Sequence, residues 1–109
     1  MPKKAMWLVY DFDIGGDYEG LYKWLDIREA KECGNGVAFL YFEYKNNFYP
    51  ELKKSLGQIK FKNRDRIYVI YKEPKRMRGK WVHGGRKKTP WAGYAVTDTG
   101  EEEIREEEE

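Results

Sequence analysis

Cysteine, serine, glutamine and histidine occur once each in this chain of 109 residues. The single cysteine, Cys33, excludes an internal disulfide framework. It predicts a reducing, cytoplasmic setting. One cysteine and one histidine, His83, are too few for a zinc site, which takes about four ligands. Paired, they would offer at most a nucleophile and a base. No apolar run approaches the roughly 20 residues of a membrane-spanning helix. The opening Met-Pro-Lys-Lys has no apolar region of the kind that a secretory leader needs. A membrane partner is therefore not expected. The scarcity of Gln, Ser and Cys beside many Lys and Glu resembles the bias of hyperthermophile proteins.

What is abundant is charge, at 37%, and aromatic side chains, at 17%. The net charge of +2 hides a strong asymmetry. Residues 1–52 hold 6 basic and 9 acidic side chains, residues 53–88 hold 14 and 2, and residues 89–109 hold 1 and 8. A basic block followed by an acidic tail is the pattern of a chain that meets polyanions, or of one that uses charge for solubility. The tail could also fold back and mask the block.

Length predicts one domain. We expect it over residues 1–97, with a basic extension at 72–97 and an acidic tail at 98–109. Residues 5–12 alternate as a strand, with Trp7, Val9 and Asp11 on one face and Met6, Leu8, Tyr10 and Phe12 on the other. Asp17 suits a helix N-cap. Leu21, Trp24 and Leu25 then follow at the spacing of a core-facing stripe, although Gly20 weakens the helix by up to ~1 kcal/mol relative to Ala. A short strand is expected from about Arg28, joined by the Gly34-Asn35-Gly36 turn to the strongest strand signal in the chain, residues 37–44. There Ala38, Leu40 and Phe42 share one face, and Val37, Phe39, Tyr41 and Glu43 share the other. Pro50 suits a helix first turn, and Leu52, Leu56 and Ile59 line one face after it. Residues 66–72 read as a strand closed by Pro74. In the extension, Gly84-Gly85 is a candidate hairpin turn between added strands.

This order is βαββαβ. Two helices on one face of a four-stranded antiparallel sheet make an α+β, ferredoxin-like two-layer sandwich with a C-terminal β-extension. The second sheet face is left for a ligand, a partner or the extension. An added strand could also pair across a two-fold axis to make a homodimer.

The central strand resembles the ribonucleoprotein motif of RNA recognition motif domains at Gly36, Ala38, Phe39, Leu40 and Phe42. Asn35 stands where that pattern has a basic residue, and Val37 where it has an aromatic one. Trp7 occupies the place of the family's first-strand stacking ring. The resemblance implies that Trp7, Phe39 and Tyr41 stack on unpaired bases. The competing expectation is that the extension, with Trp81, Trp91 and Tyr94, covers that face and makes these rings core. The order also resembles the CRISPR-associated adapter/endoribonuclease and virulence-associated D family, through Tyr10-Asp11. That resemblance implies a magnesium-dependent nuclease with Asp11, aided by Asp13, holding the metal.

The basic block supplies the phosphate-binding candidates. Lys60, Lys62, Arg64 and Arg66 alternate, so an extended backbone would project them to one side. Lys75, Arg76, Arg78, Lys80, Arg86, Lys87 and Lys88 follow, interleaved with Trp81 and His83. Cations with aromatics suit RNA or another single strand. Cations alone suit a solvated face, as Lys53 and Lys54 do. The leading expectation is a nucleic-acid-binding module without a cofactor and without catalysis. The rivals are the metal-dependent nuclease and a protein-interaction module whose basic face meets an acidic partner.

Overall fold

The strand at the centre of the sheet is the most apolar alternating segment of the N-terminal part. β1 (Lys3–Asp11) lies between β3 (Val37–Glu43) and β4 (Arg66–Glu73). The full order is β2-β3-β1-β4-β5, with β2 (Lys31–Gly34) and β5 (Arg76–His83) at the edges. Every neighbouring pair is antiparallel. α1 (Tyr18–Ile27) connects β1 to β2, and α2 (Phe48–Leu56) connects β3 to β4. The described residues are therefore α+β, with two helices against a five-stranded antiparallel sheet. The computed structural model describes residues 1–95. The expected acidic tail lies outside the described residues. Among the described residues no helix is long and apolar enough to cross a membrane.

Alternation decides which sheet face is buried. Met6 and Leu8 of β1, Ala38, Leu40 and Phe42 of β3, and Ile67, Val69 and Tyr71 of β4 all point to the helices. They meet Leu21, Trp24 and Leu25 of α1 and Phe48, Leu52 and Leu56 of α2. Aromatic contacts join the layers, with Trp24 stacked on Phe42 at 6.1 Å and Phe48 against Tyr71 at 4.7 Å. Burial of each such side chain contributes about 1.5–3 kcal/mol. Because α1 and α2 both sit on this side, the other face has no helical layer among the described residues.

The ends of the helices tie the loops to one site below the sheet. Asp17 caps α1 by accepting from Gly20 N at 3.0 Å, while its second oxygen accepts from Lys60 N at 3.0 Å. A Cβ on Gly20 would lie 2.3 Å from that carboxylate. The glycine that weakens the helix in isolation is what lets the cap close. Asp65, fully buried, accepts from Asp13 N at 2.8 Å and Lys62 N at 2.7 Å, so it joins the loop after β1 to the loop before β4.

Three expectations are corrected. β2 begins at Lys31, not near Arg28, because Arg28 and Ala30 donate their amides to Leu25 O and so close α1. Residues 60–65 are not extended. Phe61 turns into the core, and Asp65 draws in the backbone on either side of the turn at Asn63-Arg64. Gly84-Gly85 joins no two added strands: β5 is entered from β4 by the turn at Pro74-Lys75, and no strand follows it among the described residues.

Candidate functional site

Side chains that point away from the helices build an open face in registered rows. One row runs Phe39, Trp7, Ile70, Gly79 across β3, β1, β4 and β5. The next runs Val37, Val9, Tyr68, Trp81. Lys31 continues the first row on β2. Five aromatic rings thus share one face, in two groups. Trp7 and Phe39 are 5.0 Å apart, and Phe39 and Tyr41 are 5.5 Å apart. Tyr68 and Trp81 meet at 4.8 Å. Gly79 makes the second group possible, since a Cβ there would lie 1.9 Å from the Tyr68 hydroxyl. The Tyr68 ring therefore lies down along β5 instead of standing off the sheet.

The face is uncovered among the described residues. Trp7 is 39% exposed and Tyr41 51% exposed. Trp91 and Tyr94, which were the candidates for a cover, are themselves 72% and 85% exposed. Trp81 belongs to the face as part of β5 and does not lie over it.

Cations border the rings. Lys3 Nζ sits 5.1 Å above the Tyr41 ring. Arg66, opposite Asp11 in the sheet, donates Nε to Asp11 Oδ2 at 3.2 Å and Nη2 to the same oxygen. Its guanidinium carbon is 5.6 Å from the Trp81 ring. Lys87 Nζ is 3.9 Å from the same Asp11 oxygen. Asp11, Arg66, Val9, Tyr68, Trp81 and Arg86 line an open surface cavity of about 340 Å³.

The sheet divides the basic block. Arg66 joins the aromatic face, and Arg86 and Lys87 lie at its Asp11 end. Arg76, Arg78 and Lys80 alternate onto the helix side, opposite Glu73, Tyr71 and Val69. There Arg78 Nε pairs with Glu73 at 3.5 Å, and Lys80 Nζ stands 4.2 Å over the Tyr49 ring of α2. Lys75 is in the hairpin turn, while Lys60, Lys62 and Arg64 are in the loop before β4. Lys88 is exposed in the segment after β5. Of the residues named from sequence, the structure brings together Trp7, Phe39 and Tyr41, and separately Arg66, Arg86 and Lys87. It does not gather the remaining cations with them.

Tyr68 is a face residue that the sequence reading did not use, and Trp81 is one that it put over the face or among the cations, not in the sheet. Alternation about Ile67, Val69 and Tyr71 is the signal that could have found Tyr68. Nothing local marks the register that sets Trp81 against it.

The other candidate chemistries fare differently. Cys33 is on β2 and His83 on β5, four strand spacings apart, or roughly 19 Å at ~4.8 Å per spacing. They form no nucleophile–base pair. His83 instead stacks on Phe61 at 4.4 Å and donates Nε2–H to Lys62 O at 3.1 Å. Asp13 Oδ1 accepts from Ile14 N at 2.9 Å. Among the described residues no group of three or more His, Cys, Asp and Glu is arranged to hold a metal ion. At the opposite surface of β1, burial pushes the Tyr10 phenol up to about 12, with the Tyr22 hydroxyl adding to the effect.

Comparison with family models, with curated proteins and with solved structures returns no match.

Proposed function

We propose that this chain is a small single-strand nucleic-acid-binding module, with RNA as the leading ligand and single-stranded DNA sharing the same chemistry. The observation that carries the reading is the contiguous set of Trp7, Phe39 and Tyr41, uncovered among the described residues, on a sheet face bordered by Lys3 and Lys31. Flat rings without a covering layer offer stacking to unpaired bases, and stacking tolerates any base. The bordering cations supply phosphate attraction that weakens with salt. The reading includes a ferredoxin-like arrangement, supported by the order β2-β3-β1-β4 and by helices after β1 and β3, with β5 as an added edge strand.

A titration of the intact protein against labelled single-stranded RNA, single-stranded DNA and duplex DNA tests it. Two salt concentrations are used, each with magnesium and with chelator. The expected result is salt-sensitive binding of single strands in preference to duplex, with the strand left intact in both metal conditions. Absence of single-strand binding at low salt overturns the reading. Magnesium-dependent cleavage lost in Asp11→Ala would replace it with the nuclease.

A further inference from the structure

The cavity between β1, β4 and β5 combines features that a general stacking surface does not require. Resting on the single-strand reading, we propose that this cavity is a base-selective subsite for guanine. Its volume of about 340 Å³ is near the small end of ligand pockets, roughly 300–1,000 Å³, and suits one fused-ring base. Val9, Tyr68 and Trp81 give it apolar and aromatic walls, and the Tyr68–Trp81 pair stands apart from the Trp7 group.

Asp11 gives the cavity its discrimination. A carboxylate on a surface that meets phosphates is unfavourable unless it is neutralised, and Arg66 and Lys87 both approach Asp11 Oδ2. Oδ1 accepts no hydrogen bond from the described residues, and the side chain is 55% exposed. An ionised carboxylate only accepts, and with Oδ2 taken by Arg66 the lone pairs of Oδ1 are what remain for the N–H groups of a ligand. On the Watson–Crick edge, guanine presents two adjacent donors, N1–H and the N2 amino group. Adenine, cytosine and uracil each present one donor beside an acceptor. An acceptor-only wall held in place by Arg66 therefore matches guanine and sets a lone pair against the other three. Arg66 also stands beside Trp81, so one guanidinium braces both the carboxylate and the ring.

The test uses the intact protein and a uridine tract, with variants of that tract carrying a single guanine, adenine, cytosine or inosine. Free GMP is titrated in a separate arm. The guanine tract is expected to bind about tenfold tighter than the others, the scale of one bidentate base contact. Inosine, which lacks the N2 amino group, loses most of that gain without any change to the protein. Asp11→Asn puts a donor against guanine's donors and abolishes the preference, while affinity for plain uridine tract does not fall, because Arg66 and Lys87 are released towards phosphates. Equal binding of all tracts overturns the subsite and leaves the single-strand reading standing, as does a guanine preference that survives Asp11→Asn. Binding of GMP without binding of any tract overturns the strand as occupant. No binding in any arm overturns both readings.

Discussion

Trp7 is on β1 between Phe39 and Ile70, yet more than a third of its surface reaches solvent. A tryptophan with a free face contributes little to the core below it, so its removal separates binding from folding. Trp7→Ala is expected to weaken single-strand binding by about 1–3 kcal/mol. Its thermal midpoint should stay close to that of the parent, read by circular dichroism beside the titration. Asp65 is the reverse case. It is buried completely and accepts two amides from two different loops. Asp65→Ala leaves both donors without a partner and is expected to cost about 3 kcal/mol, measured by urea denaturation. Asp65→Asn keeps one acceptor and should cost less. The sequence showed Asp65 only as one of two acids in a basic block. Its importance arises because residues 13 and 62, far apart in the chain, meet there.

At the scale of elements, α2 is started by a carboxylate that reaches backwards. Glu51 accepts from the amides of Lys45, Asn46 and Asn47, and these bonds hold its carboxyl below the usual carboxylate range. The Lys60 and Gly20 amides do the same for Asp17 at α1. A folded-state pKa that is lowered stabilises the fold above the ordinary carboxylate pKa, and the contribution is lost as pH falls through the folded-state value. Glu51→Gln should therefore melt below the parent at neutral pH, with the gap closing in acid, as followed by thermal melts across that range. β5 supports a second prediction. Its alternation sends Arg78 and Lys80 to the helix side and Trp81 to the open face. Arg78→Ala should leave single-strand affinity within about twofold, whereas Lys31→Ala, beside Phe39, should weaken it by more, as one lost phosphate contact would. β1, β3 and β4 were legible because strict alternation marks a half-buried strand. β2 and β5 were less so. Edge strands bury little and carry charge, so their apolar pattern is faint.

For the whole molecule, the charge that matters is what one face presents. Residues 53–88 carry 14 basic side chains, but the sheet and the loop before β4 distribute them to different sides. If the open face binds the strand, only cations such as Lys3, Lys31, Arg66 and Lys72 and those after β5 can reach phosphates. The logarithm of affinity should then fall with the logarithm of salt at a slope of about −2 to −4, given roughly −0.7 for each phosphate neutralised on a single strand. A slope near −10 would mean that the whole block engages at once, against this division of faces. A salt series with a single-stranded ligand measures it.

The sequence by itself determined the α+β class, the faces of β1 and β3, the presence of β4, and the cap at Asp17. Each depends on period, composition or a contact within a few residues. Only the tertiary structure decided that no described residue covers the aromatic face, that Tyr68 and Trp81 form a second ring group, and that Asp11 pairs with Arg66. It also separated Arg78 and Lys80 from Arg66, and Cys33 from His83. These outcomes depend on strand order and on the β4–β5 register. Both are set by non-local pairing and by the burial of one sheet face, which no short window of residues encodes.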